Sequence, residues 1–185
     1  MEKVIASVRV SSLCPNAKYG CKENVTQETS SSHEEQCVFA PCYCPVGDCN
    51  YTGSHKDLKN HVNDEHKEGL IRFEWDTPLG IEPSGLSEKI TILREKIYGE
   101  LIVIRGFKGS DGMLVSVSCI APLATEKGRL SCSLELRTSR NTLKHMLIVK
   151  AIQKTSEEQP KEDFVLIPSY MIRLICSVEI CVSRT

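Results

Sequence analysis

Eight side chains able to bind a soft metal ion stand in one unbroken order: Cys14, Cys21, His33, Cys37, Cys44, Cys49, His61 and His66. Their spacing reads Cys-x6-Cys-x11-His-x3-Cys, then x6, then Cys-x4-Cys-x11-His-x4-His. Thiolate and imidazole are the donors zinc prefers, four at a time in a tetrahedron. The x11 interval between the second Cys and the first His occurs in both halves, so the region reads as an internal repeat of two zinc fingers. The first set is Cys3His and the second Cys2His2. With four protein ligands each, the two expected Zn2+ ions are structural, because no position is left for water or substrate. Cys42 could also open the second unit, giving Cys-x6-Cys as in the first. Cys44 gives the shorter knuckle.

These ligands need a turn followed by a helix in each unit. Pro15, Asn16 and Gly20 in the first unit, and Pro45, Gly47 and Asp48 in the second, are turn formers. In the first unit Ser30, Ser31 and Ser32 offer helix caps, with Glu34 or Glu35 as capping-box partners. His33 and Cys37 then share one helix face. In the second, Ser54 and Asp57 form the cap and Leu58 and Val62 the apolar stripe. The His61–His66 interval is one residue longer than an ideal helical pair, so the last turn is expected to distort.

The 185 residues suffice for one ordinary domain or a small and a medium one. With 41% apolar and 25% charged residues the chain reads as globular. A net charge of -1 and 5% aromatics give no general drive toward nucleic acid. No apolar run approaches a membrane span, and the first residues do not read as a secretory signal. Ten cysteines without such a signal favour metal and reduced thiols over disulfides, and a cytoplasmic or nuclear location.

Residues 2–10 carry Val4, Ile5 and Val8 at helical spacing, and residues 1–12 are assigned to a lead-in helix. Residues 13–67 form the double finger. From about residue 70 the texture changes to short β-branched or alternating runs: Leu70–Trp75, Ile90–Leu93, Leu101–Arg105, Met113–Cys119, Leu130–Leu136, Leu143–Ala151, Phe164–Ile167 and Met171–Val182. Turn residues punctuate them. Seven or eight such strands suggest an antiparallel sandwich over residues 68–185, making the fold class mainly β with small α+β zinc units. Lys154 to Asp163 reads as a solvated loop of mixed charge.

The ligand series and its surroundings resemble the seven-in-absentia (SINA/Siah) zinc-finger pair, especially the plant SINA-like branch. Cys14-Pro-Asn-Ala-Lys-Tyr-Gly-Cys21, His33-Glu-Glu-Gln-Cys37, Phe39-Ala-Pro-Cys-Tyr-Cys-Pro45 and His61-Val-Asn-Asp-Glu-His66 carry the likeness. Val115 to Leu123, Gly128-Arg-Leu130 and Leu166-Ile-Pro-Ser-Tyr170 extend it over most of the chain. The resemblance also favours Cys44 over Cys42 as a ligand. It implies a ubiquitin-ligase family in which a RING recruits the conjugating enzyme. There the fingers and a TRAF-like β-sandwich bind target proteins and dimerise. Only 13 residues precede Cys14, none Cys or His, and Met1-Glu-Lys-Val-Ile resembles the helix that follows the RING. The chain is therefore expected to start just after the catalytic module, with residues 1–12 as the post-RING linker.

The expected function is a zinc-binding module that recruits targets for ubiquitination and proteasomal degradation, inactive as a ligase by itself. Its expected partners are target proteins and SINA-like relatives, by homo- or heterodimerisation, with no nucleic acid and no membrane. The alternative is an active ligase whose RING comes from a dimer partner. A nucleic-acid-binding finger is disfavoured, since Lys56 and Lys59 share their helix with Asp57, Asp64 and Glu65. His145 shares no motif with a nucleophile or acid. Trp75 reads as packing, and Cys119, Cys132, Cys176 and Cys181 as buried thiols. No catalytic residue is expected.

Overall fold

The computed structural model describes residues 11–87, 89–125 and 130–184. Most of the expected lead-in helix, residues 1–10, lies outside them. Ser11 and Ser12, assigned to its end, are instead extended: β1 (Ser11–Leu13) pairs antiparallel with β2 (Asn24–Thr26). Helix α1 (Ser30–Gln36) completes the first finger. The second repeats the plan with β3 (Cys42–Tyr43), β4 (Thr52–Gly53) and α2 (His55–Glu65).

Nine further strands build the sandwich: β5 (Leu70–Phe73), β6 (Leu79–Ile81), β7 (Ile90–Glu95), β8 (Leu101–Lys108), β9 (Gly112–Ile120), β10 (Leu130–Thr138), β11 (Thr142–Ile152), β12 (Phe164–Pro168) and β13 (Ile175–Arg184). They run in the order β5-β7-β8-β9-β11-β10-β13-β6, with β12 also on β9. Strand β11 joins the two layers. Its first part pairs antiparallel with β10, and Lys150–Ile152 pair with Ser118–Ile120 of β9. That pairing and the one between β5 and β7 are parallel, so the sandwich is not wholly antiparallel. The final run Met171–Val182 is not one strand, because α3 (Ser169–Ile172) takes its first residues. A register shift opposite Arg137 and Thr138 then breaks the alternation at the start of β13. Cys176 is left exposed there, contrary to the buried-thiol reading, whereas Cys119 and Cys132 are buried.

Strands β7 and β8 explain the position of the second finger. Leu93, Ile102 and Ile104 face the core between the two layers, together with Val115, Leu134 and Ile180. Their neighbours Ile92, Leu101 and Val103 face the other way and are equally buried, against Leu58 and Val62 of α2 and Cys42 of β3. A strand covered on both faces needs a continuous apolar run rather than alternation, which is what Leu101-Ile-Val-Ile104 provides. Backbone links seal the junction: Tyr43 N–H donates to Gln153 O at 2.8 Å, and Gln153 Nε2 donates to Pro41 O at 2.8 Å.

A polar clamp adds to this packing. Glu100, between β7 and β8, lies 3.2 Å from His55 Nε2 and 3.0 Å from Lys59 Nζ, both on α2. The turn that presents it is organised by the buried Glu95, whose carboxylate accepts the N–H groups of Ile97 and Gly99 at 3.0 and 3.1 Å, and that of Tyr98. Gly99 takes φ 70°, a left-handed conformation that costs glycine little. Burial alone would raise the Glu100 pKa, but the hydrogen bonds and charges of His55 and Lys59 outweigh it and hold the group at about 2. Among the described residues no helix is long and apolar enough to cross a membrane.

Two expectations follow from the junction. Leu58 has no exposed surface, and Leu58→Ala is expected to cost about 3 kcal/mol in urea unfolding followed by Trp75 fluorescence. An unmoved Trp75 transition would show that finger and sandwich are uncoupled. Glu100→Gln is expected to cost on the order of 2 kcal/mol at pH 7. Because the folded pKa lies below the ordinary value, this stabilisation is complete above about pH 4.5 and fades as pH falls toward 2. Unfolding of both proteins across that range should show the two curves converging.

Candidate metal centres

In the first finger the chain enters along β1 and turns through a 3-10 segment, Pro15–Tyr19. Gly20 ends that segment at φ 112°, which a side chain rarely adopts, and a Cβ there would sit 3.2 Å from the Phe39 ring. The turn brings Cys14 and Cys21 onto one side. The Cys14 sulfur accepts the Asn16 N–H at 3.3 Å. Helix α1 presents His33 and ends at Cys37. Its N-cap is Thr29 rather than the expected serines, and Ser30 Oγ instead donates to Glu34 at 2.8 Å.

In the second finger Cys44 leaves β3 and its N–H donates to Tyr51 O at 3.0 Å, closing the knuckle. Asp48 supplies the left-handed corner at φ 63°. Helix α2 starts at the expected cap: Ser54 Oγ accepts the Asp57 N–H at 3.2 Å and donates to its carboxylate at 2.6 Å. His61 lies on the helix. His66 lies just beyond it with φ -127° and ψ 29°, the distortion that its longer interval requires.

The structure gathers all eight side chains into two fours: Cys14, Cys21, His33 and Cys37, and Cys44, Cys49, His61 and His66. The donor atoms of each set lie within 4.8 Å of one another. Tetrahedral zinc with bonds of about 2.0–2.3 Å separates its ligand atoms by about 3.3–3.8 Å. In the first set His33 Nε2 is 3.1 Å from Cys14 Sγ and 3.5 Å from Cys21 Sγ, and Cys14 Sγ is 4.0 Å from Cys37 Sγ. In the second set His61 Nε2 is 3.3 Å from Cys49 Sγ and 3.2 Å from His66 Nε2. These spacings bracket the edge lengths of a zinc tetrahedron.

The electrostatics fit a metal as well. Burial pushes the Cys14 and Cys44 thiols up to about 11, so neither ionises at neutral pH without a cation to stabilise the thiolate. At Cys37 burial also acts upward, but the Asn16 side chain and the Phe39 N–H donate to the sulfur and the net shift is down. His61 is held below its usual range by burial and by the neighbouring His66, which favours the neutral, ligating form. Cys42 is pushed up to about 12 by burial alone. It packs in the core shared with the sandwich and stands outside both clusters, whereas the Cys44 sulfur accepts the Val46 N–H.

One contributor escaped the sequence reading. The Tyr51 ring stacks on His61 with centroids 3.9 Å apart and planes 8° from parallel. A Cβ on Gly53 would lie 2.8 Å from the Tyr51 hydroxyl oxygen, so glycine makes room for the ring. A tyrosine two residues before a glycine carries no signal of that role. The other candidates remain apart from the clusters. His145 is exposed on β11, and Trp75 packs edge-on to Phe73 with Arg184 over its ring at 4.2 Å.

Comparison with known proteins agrees with this geometry. The family described as "Sina, zinc finger" matches residues 3–73. The chain is 52% identical over 171 residues to E3 ubiquitin-protein ligase SINA-like 10 of Arabidopsis thaliana, covering 92% of this chain and 48% of the relative. It is 47% identical over 180 residues to SINA-like 4 of the same plant, covering 93% and 54%. It is 38% identical over 176 residues to SINA-like 7, covering 94% and 60%. The chain thus spans about half the length of the curated relatives it matches. Two closed Cys/His clusters and a zinc-finger family match together give two structural zinc ions. With the sandwich that follows them, they place this chain in the SINA/Siah family of zinc-finger proteins.

Proposed function

We propose that these residues form a zinc-dependent protein-interaction module, the target-recruiting part of a SINA-type ubiquitin ligase. One observation carries the reading: both metal clusters are closed, and the second finger packs on the outer face of a β-sandwich through a shared apolar cluster. Such zincs supply folding energy and rigidity rather than an activated water. In this reading Cys14, Cys21, His33 and Cys37 hold one ion, and Cys44, Cys49, His61 and His66 the other. Residues 13–67 form the double finger and residues 68–185 the recruiting sandwich. The relatives are named as E3 ubiquitin-protein ligases, so the recruited partners are proteins destined for ubiquitination and proteasomal degradation. SINA-like relatives join by dimerisation, in the cytoplasm or nucleus. Ubiquitin transfer itself needs a RING, whose ligand series these residues do not contain.

The transfer step is tested with the purified 185-residue chain, ubiquitin, activating enzyme and conjugating enzyme. No ubiquitin chains are expected until a RING-bearing relative is added. Robust chain building without it would sink the recruiting reading.

The ligand assignment is tested by zinc content and unfolding. Cys21→Ser and His61→Ala are each expected to leave one zinc per chain instead of two. Site one has its own small core with Val25 and Ala40, so Cys21→Ser should leave the Trp75 transition nearly unchanged. His61→Ala removes the ring on which Tyr51 stacks and should cost the sandwich about 4 kcal/mol. Two zincs retained in either variant would refute the assignment.

A further inference from the structure

The segment joining β11 to β12, residues 153–163, lies over β8 and β9 as a strap. The strands beside it contribute two cations and no anion to a groove of about 430 Å3: Arg105 and Lys150, next to the hydroxyls of Ser116 and Ser118. The strap carries Glu157, Glu158, Glu162 and Asp163 against Lys154 and Lys161, four acids to two lysines. Its charges therefore complement the groove. Arg105 donates to the Glu157 carboxylate at 2.9 Å and to Ser156 O at 2.5 Å. Lys150 holds Glu162 at 2.7 Å and Asp163 at 2.6 Å.

These anchors are easily exchanged. No residue of 153–163 is buried. Glu157 and Glu162 are 92% and 77% exposed, and ion pairs so open to water contribute little. Asp163, where the strap enters β12, holds φ 52°, a left-handed conformation that aspartate and asparagine adopt more readily than most side chains.

Arg105 itself points to an additional ligand. Its Nε is buried without an acceptor, although its two Nη atoms are bound. A guanidinium accommodates a carboxylate best by a two-point fork, and the strap meets it with one carboxylate contact and one carbonyl. An incoming carboxylate can take the Nε–H and an Nη–H together.

We propose that the groove under the strap is a docking site for an acidic segment of a partner protein, and that the strap's own acids occupy it as an internal mimic until such a segment displaces them. The site is distinct from the metal centres, and its recognition chemistry is carboxylate on arginine and lysine.

The test uses the full zinc-loaded chain and a fluorescein-labelled peptide copying residues 155–163, read by anisotropy. In the wild type the tethered strap competes at high effective concentration and binding is weak. Glu157→Gln, Glu162→Gln and Asp163→Asn together release the groove, and Asn tolerates the left-handed φ. This triple variant is expected to bind the peptide at least about tenfold tighter than the wild type. Adding Arg105→Gln should abolish the binding. Arg105→Lys, which keeps the charge and loses the fork, should weaken it by about tenfold. Zinc content and Trp75 emission establish that each variant is folded. Equal affinity of triple variant and wild type, or full binding by a folded Arg105→Gln or Arg105→Lys variant, would overturn the proposal. So would a single-stranded oligonucleotide that binds the triple variant as tightly as the peptide. The assay contains neither ubiquitin nor a target protein, so its failure leaves the recruiting role untouched.

Discussion

The structure depends on the packing of α2 against the outer face of β7 and β8. Leu58 and Val62 close over Ile92, Leu101 and Val103, giving the second finger and the sandwich a common apolar cluster outside the inter-layer core. A finger of this size has too few apolar residues to fold alone, and zinc ordinarily makes up the deficit. Here the deficit is shared. The metal gathers the knuckle and helix, and the sandwich provides apolar surface on which that helix can rest. The His55–Glu100–Lys59 clamp then fixes the orientation of the helix, and the Gln153 bridge ties down the knuckle at Pro41 and Tyr43. The first finger has its own small cluster and meets the sandwich through α1 beside the turn Leu123–Thr125, so the two zincs are embedded differently.

How much of this was legible in the sequence follows from which interactions are local. The eight Cys and His residues announce themselves because zinc tolerates few donor types and few spacings. Most strands are legible because β-branched runs and turn residues mark them within a few positions. Cys42 was not legible. Its burial depends on β7, β8 and Ile120, all far along the chain, and by spacing alone it competes with Cys44 for the metal. Tyr51, Glu95 and Glu100 escaped for the same reason, since each acts through a partner that only the folded chain brings near. The helix that interrupts Met171–Val182 was hidden by apolar residues that suit either structure. The exposed Cys176 reflects a bulge, which shifts side-chain parity without leaving a compositional mark.

The continuous apolar run of β8 illustrates how one sequence feature can have two causes. Read alone, Leu101-Ile-Val-Ile104 suits any buried strand. In the structure its two sets of side chains serve different neighbours. One set fills the sandwich, and the other receives the finger. The same layer then changes character along its length. Beyond Val103 the outer face carries Arg105, and on β9 it carries Ser118 and Ser116, opposite Val103 and Arg105 respectively. The apolar end accepts the finger permanently, because burial of that surface is not easily reversed. The polar end is covered by the strap, through ion pairs whose acids are largely exposed and hydrogen bonds to the carbonyls of Ser156 and Lys108.

This division suits the proposed recruiting role. A platform must keep its shape while its ligands come and go, so the contacts that define shape should be apolar or metal-held, and the exchangeable ones ionic. Closed zinc coordination serves the first need, since four protein donors leave nothing to be displaced by a ligand. Weakly held charged segments serve the second, because they can be replaced without disturbing the core. Finger and strap occupy neighbouring ground on the same sheet, and Gln153 links them: its backbone carbonyl and side chain bind the finger while the chain continues directly into the strap. Rigidity from the second zinc is thereby delivered to the point at which the exchangeable segment begins.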